Sequence, residues 1–161
     1  MLEPELKELT PKTLAGMHVT MSLAANRTGE LWQRFMPRRK EITNTVSTDL
    51  YSLAVYPWPV DFTDPRREFE KWAAVEVTDP VTLPDGMEAL TLTGGLYAVF
   101  HYKGSSADIG IFQYIFGTWL PASQYRLDDR PHFEVLGLRY RNNDPESEED
   151  IWIPVVANLP V

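Results

Sequence analysis

The chain of 161 residues has no cysteine. That excludes disulfide staples, thiol nucleophiles, cysteine-ligated zinc and iron–sulfur clusters. Positive charge is also scarce: 15 Lys and Arg stand against 23 Asp and Glu, a formal charge of −8. Such a surface repels a phosphate backbone, so direct binding to nucleic acid is not expected. The one basic cluster, Arg38-Arg39-Lys40, falls at an expected helix C-terminus, where cations oppose the dipole favourably. No apolar run approaches the roughly 18 residues that a membrane span requires. Met1-Leu2-Glu3-Pro4-Glu5 lacks the basic-then-apolar order of a secretory signal. A soluble, cytoplasmic protein with no membrane role is expected. There is no P-loop, no G-x-G-x-x-G and no G-x-S-x-G. The histidines, His18, His101 and His132, are scattered without ligand spacing, so neither a metal nor a cofactor is expected.

What the chain does have is the length of one domain, 43% hydrophobic residues and many aromatics: five Trp, seven Tyr and seven Phe. Negative charge gathers in the second half, net −6 over residues 81–161 against −2 over residues 1–80. Thirteen prolines punctuate the pattern. Strands are expected at Glu5 to Leu9, Lys12 to Ser22, Tyr51 to Tyr56 and Phe69 to Val77. A helix is expected from Thr28 through Leu31, Trp32, Phe35 and Met36, ending near Pro37 or fraying on to Ile42. The second half repeats the order. Met87 to Thr93 and Leu96 to Lys103 form a hairpin around Gly94-Gly95. A helix follows with Ile109, Phe112, Ile115, Phe116, Trp119 and Leu120 on one face. His132 to Leu138 and Ile151 to Val156 close the series as strands. The acidic run from Asp144 to Asp150 reads as a solvated turn.

The halves share landmarks: Phe35-Met36-Pro37 against Trp119-Leu120-Pro121, then Glu70-Lys71-Trp72 against Asp150-Ile151-Trp152. The expectation is one α+β domain over 1–161 made of two ββαββ units, about 5–80 and 86–157. Their strands would form a pseudo-twofold antiparallel sheet with both helices on one face and a ligand cleft between the repeats.

One carboxylate stands out. In His132-Phe133-Glu134-Val135-Leu136, alternation puts His132, Glu134 and Leu136 on one face and Phe133 and Val135 on the other. Both faces are largely apolar, so Glu134 is expected to be at least partly buried. There it must be neutral, paired with an arginine such as Arg130 or Arg139, or waiting for a cation. Trp and Tyr faces around such a carboxylate would host a lipophilic cation.

The chain resembles the GyrI-like small-molecule-binding domains, the effector-binding domains of AraC- and MerR-type multidrug regulators. The resemblance is carried by Lys12-Thr13-Leu14-Ala15-Gly16, Leu31-Trp32-Gln33-Arg34-Phe35 and Leu83-Pro84-Asp85-Gly86-Met87. Further on it is carried by Gly95 to Phe100, Tyr114 with Trp119 to Tyr125, Pro131-His132-Phe133-Glu134 and Glu149 to Val155. It implies a duplicated fold whose cleft takes hydrophobic, often cationic drugs through a buried glutamate and surrounding aromatics. Glu134 falls on that glutamate and Trp152 on the aromatic of the last strand. Trp32 and Tyr114 fall on helical positions facing the cleft, and Tyr51, Trp72 and Phe35 are grouped with them as lining candidates. The regulators carry a helix-turn-helix domain, for which these residues leave no room; stand-alone members occur on integron-type mobile cassettes.

The functional expectation is a binding protein that senses or sequesters hydrophobic cations, linked to transcription regulation. One alternative is a hydrolase of strained electrophiles with Glu134 as general base, the only catalytic candidate. The other is a protein-interaction role toward DNA gyrase or a separate regulator.

Overall fold

The computed structural model describes residues 2–78 and 82–159. The expected junction between the halves, near residue 80, falls partly outside them. The first half runs β1 (Glu5–Leu9), β2 (Lys12–Met21), α1 (Thr28–Phe35), β3 (Leu50–Val55) and β4 (Phe69–Val77). A 3-10 turn, Met36–Glu41, prolongs α1 past Pro37. The second half runs β5 (Glu88–Leu92), β6 (Gly95–Lys103), α2 (Gly110–Tyr114), β7 (Tyr125–Leu127), β8 (His132–Leu136) and β9 (Glu148–Ala157). The helix α2 continues as a π-helical turn, Ile115–Trp119, and a last α-turn, Leu120–Ala122.

Every strand pairing is antiparallel, in the order β1-β6-β9-β8-β3-β4-β2-β5, with β7 added along the end of β9. The order is symmetric about the β8–β3 seam, as a duplicated ββαββ fold requires. Each half also sends its first strand to the other: β1 pairs with β6, and β5 pairs with β2. Two residues, Thr10-Pro11, join β1 to β2 although the strands lie at opposite ends of the order, so the sheet curls until its outer hairpins touch. Gly94 and Gly95 sit at that contact with φ of 89° and 113°. A Cβ at Gly95 would stand 2.7 Å from the Arg130 guanidinium. Arg130 clamps the spot: it donates to the Gly94, Leu96 and Val155 carbonyls at 3.0, 2.7 and 3.1 Å, pairs with Asp128 and lies over the Tyr97 ring.

Alternation divides the core between the two faces. On one face Leu31 and Phe35 of α1 cover Ala15, Met17, Val19, Ala73 and Val75. On the same face Ile111 and Ile115 cover Ala98, Phe100, Ile151, Ile153 and Val155. The expected second helical stripe is therefore shifted. Ile109 precedes the helix and is 64% exposed. The buried line is Ile111–Ile115, with the wider π turn beginning at Ile115. The other face, inside the curl, holds Leu14, Tyr51, Leu53, Trp72, Leu92, Tyr97 and Phe133. No helix among the described residues is long and apolar enough to cross a membrane.

Candidate functional site

The helical clusters leave a gap over the β8–β3 seam. Register fixes what faces it: Ser52 lies opposite Glu134, Ala54 opposite His132, and Lys71 of β4 opposite Ala54. Ile151 of β9 lies on the other side of Glu134. With Phe112 and Phe116 from the second helix and Tyr56 just beyond β3, these residues line a shallow, open hollow. Small Ser52 and Ala54 leave room where larger side chains would fill the seam.

Aromatic rings wall the hollow. Tyr56 meets His132 edge-on, with centroids 4.9 Å apart, and contacts Phe69 at 4.7 Å and Phe62 at 5.1 Å. Phe62, from the loop between β3 and β4, reaches across to Phe116 at 4.7 Å, bridging the two halves. Of Tyr56, Phe62 and Phe69, Tyr56 alone lines the hollow itself; with the other two it also lines a second, adjacent depression. Tyr56 stands at the end of an expected strand, where continuing its alternation from Ser52 and Ala54 gives the signal for this face; Phe62 lies in a loop and carries no periodic signal.

The floor is polar. Glu134 retains partial exposure through the hollow's mouth, yet protein atoms surround its carboxyl, and that desolvation raises its pKa; Lys71 acts in the opposite sense. Arginine does not reach it: Arg130 holds backbone carbonyls and Asp128, and Arg139 lies beside Glu148. The neighbour Glu134 does have is Glu149. β9 begins at Glu148, inside the acidic run expected to be a solvated turn. Alternation back from Ile153 and Ile151 puts Glu149 on the face of Glu134, where it is 7% exposed. The two side chains neighbour one another on that face, and Glu149 Oε2 is buried without a protein N–H or O–H donor. Two carboxylates buried side by side repel one another, and neither can donate a hydrogen bond to the other. Burial and this repulsion both favour one proton held by the pair. Burial first, then the Glu134 charge, pushes the Glu149 pKa upward. His132 beside them is 7% exposed, its Nε2 lacks a partner, and desolvation alone pushes its pKa down to about 3. It is a neutral ring at physiological pH.

The remaining sequence candidates lie elsewhere. Trp32 and Phe35 pack together under α1, edge to face at 5.9 Å. Tyr114 packs with the second helix and donates from its hydroxyl to the Leu2 carbonyl at 2.9 Å. Tyr51, Trp72 and Trp152 occupy the opposite face of the sheet. There Trp152 stacks on Phe133 at 5.2 Å, Trp72 stacks on His18 at 4.5 Å, and the Tyr51 hydroxyl meets Lys12 at 3.4 Å. Strand parity separates these three from Glu134. Among the described residues no group of His, Asp and Glu is arranged to hold a metal ion.

Comparison with known proteins agrees with this architecture. The transcriptional regulator BrlR of Pseudomonas aeruginosa is 30% identical over 146 residues, covering 89% of this chain and 52% of BrlR. The chain thus spans about half the length of that relative. Among solved structures, SAV2435 bound to tetraphenylphosphonium superposes with a TM-score of 0.68 at 18% identity, covering 96% of this chain and 94% of that one. The Vibrio cholerae integron cassette protein VCH_CASS2 gives 0.67 at 18% identity and covers 96% of both chains. At such identities the structural likeness speaks for the fold. Sequence speaks for the family, since residues 2–156 match the GyrI-like small molecule binding domain. The chain belongs to that family.

Proposed function

We propose that this domain binds hydrophobic organic cations in the hollow floored by Glu134, for sensing or sequestration. The observation that carries the reading is a carboxyl pair with no arginine partner under a ring of aromatic faces. Tyr56, Phe112 and Phe116 supply the walls. Trp32, Phe35 and Tyr114 brace the helices over the sheet, and Tyr51, Trp72 and Trp152 stabilise its other face. SAV2435, which shares the fold, is bound to such a cation, tetraphenylphosphonium. A desolvated cation–π contact contributes about 2 kcal/mol, so three such walls and one carboxylate together reach roughly 8 kcal/mol, the micromolar range.

The test is calorimetric titration with tetraphenylphosphonium and with neutral triphenylphosphine oxide, on the wild type and on Glu134→Gln. The cation should bind the wild type more tightly than the neutral compound does. Glu134→Gln should weaken the cation by about 30-fold, equivalent to ~2 kcal/mol for a charge-assisted contact. Equal affinity for both compounds, or an unchanged variant, refutes the reading.

The carboxyl pair also favours a second reading, hydrolysis, because a protonated carboxyl beside an ionised one suits general acid–base work. Product formed from an electrophilic probe by the wild type and by neither Glu134→Gln nor Glu149→Gln would support it. Saturable binding without product would exclude it for that probe.

A further inference from the structure

The hollow already contains a cation of its own. Lys71 faces it from β4, and its ammonium acts electrostatically on both Glu134 and Glu149. With one proton between the carboxyls, the pair carries a single negative charge, which Lys71 offsets. The charges of the hollow's own residues therefore sum to zero. A monocation entering it would leave one uncompensated positive charge in a poorly solvated space, a costly state. Losing the shared proton restores neutrality: two carboxylates then face Lys71 and the ligand.

We propose that organic cations bind here in exchange for a proton, with the Glu134–Glu149 pair releasing it to solvent as the ligand's charge arrives. The inference rests on the cation-binding reading above and adds its stoichiometry. Glu134 is the carboxyl that lines the hollow, and Glu149 lies buried behind it. Contact and proton storage are thus divided between the two residues, although the titration belongs to the pair. The other groups around the pair do not compete for the role. His132 of β8 is held neutral by burial. Tyr56, beyond β3, is raised by burial and by the Glu134 charge, so it keeps its proton. Tyr102 of β6, paired in register with Glu149, and Tyr140 of the β8–β9 connection are likewise raised, chiefly by desolvation. Asp150, the next residue on β9, points to the other face and bonds His101 at 2.8 Å.

This exchange separates cations from neutral compounds of the same shape. A neutral ligand leaves the proton in place, and its affinity is flat with pH. A cation gains affinity by about tenfold per pH unit while the pair still holds its proton, and the gain stops once the pair has ionised.

The experiment measures tetraphenylphosphonium binding by calorimetry near pH 6.5, in buffers of differing ionisation enthalpy. The slope of observed enthalpy against buffer enthalpy counts protons released. Wild type should release about one per cation. Triphenylphosphine oxide should release none. Glu149→Gln keeps a hydrogen-bond donor toward Glu134 but has no proton to lose, so it should bind the cation at least about tenfold more weakly, with no release and no pH dependence. Near-UV circular dichroism checks that this variant retains the native packing, and wild-type proton counting remains decisive if it does not. Tight cation binding without proton release overturns the exchange and leaves the cation-binding reading standing. Release that persists in folded Glu149→Gln overturns the assignment to the pair. Failure of the cation to bind better than the neutral compound overturns both.

Discussion

His132 offers a test of the site's dryness that needs no ligand. Its ring is 7% exposed, Nε2 has no partner, and desolvation pushes its pKa down to about 3 from an ordinary value of 6.5. In the unfolded chain the ring takes up a proton below pH 6.5, whereas in the folded protein it does not until about pH 3. Between those values the unfolded state binds more protons, so this group's stabilising contribution falls as pH falls through that window. At 1.36 kcal/mol per unit, the loss from neutral pH to about pH 5 is roughly 2 kcal/mol. The carboxyl pair acts with the opposite sign. Its raised folded pKa makes it more stabilising toward acid, so wild-type stability alone would mix the two effects. Urea unfolding of wild type and His132→Gln at about pH 7 and pH 5 isolates the histidine. The stability difference between the two proteins should shift by about 2 kcal/mol in favour of the variant at the lower pH. The His132 ring resonance should also keep its neutral position across the range. A stability difference that does not change with pH would mean the ring is solvated or partnered, and the hollow's floor is wetter than described.

Three further outcomes test other parts of the structure. Phe62→Ala should weaken tetraphenylphosphonium by about threefold, the scale of an exposed aromatic contact, with little change in urea midpoint; loss of folding would mean that the ring supports the core. Trp152→Phe should lower the urea midpoint and leave cation affinity unchanged, because the ring lies across the sheet from Glu134. A tenfold affinity loss would place the ligand on that face. Arg130→Lys should cost about 3 kcal/mol in chemical unfolding, since an ammonium cannot bond three carbonyls and Asp128 in the guanidinium geometry; near-wild-type stability would show the clamp to be incidental.

Much of the fold was legible because strong β patterns and proline punctuation agree locally. Phe69–Val77 was read to the residue, and the paired landmarks around Trp72 and Trp152 reflected a real symmetry of strand order. The partial burial of Glu134 is legible from strand parity, because His132 and Leu136 share its face. Glu149 is hidden from a reading of composition, since the acidic run Asp144 to Asp150 looks like a solvated turn although β9 begins inside it. Counting by twos from Ile153 and Ile151 would have put it on the face of Glu134. The π turn was invisible, since a pattern of apolar residues assumes the spacing of an α-helix. Which aromatics reach the seam depends on strand pairing and on a loop crossing from one half to the other, and neither leaves a periodic signal.

The exchange of first strands between the halves bears on how a ligand gets in. Because β1 is stitched to β6 and β5 to β2, separating the halves would break backbone ladders on both flanks as well as the β8–β3 seam. A clamshell motion is therefore closed to this molecule. Entry has to occur by side chains and loops giving way above a rigid floor. For a guest bound as proposed, the bridging Phe62–Phe116 contact would be the natural door, with the rim adjusting to its outline above a floor whose charges keep their spacing.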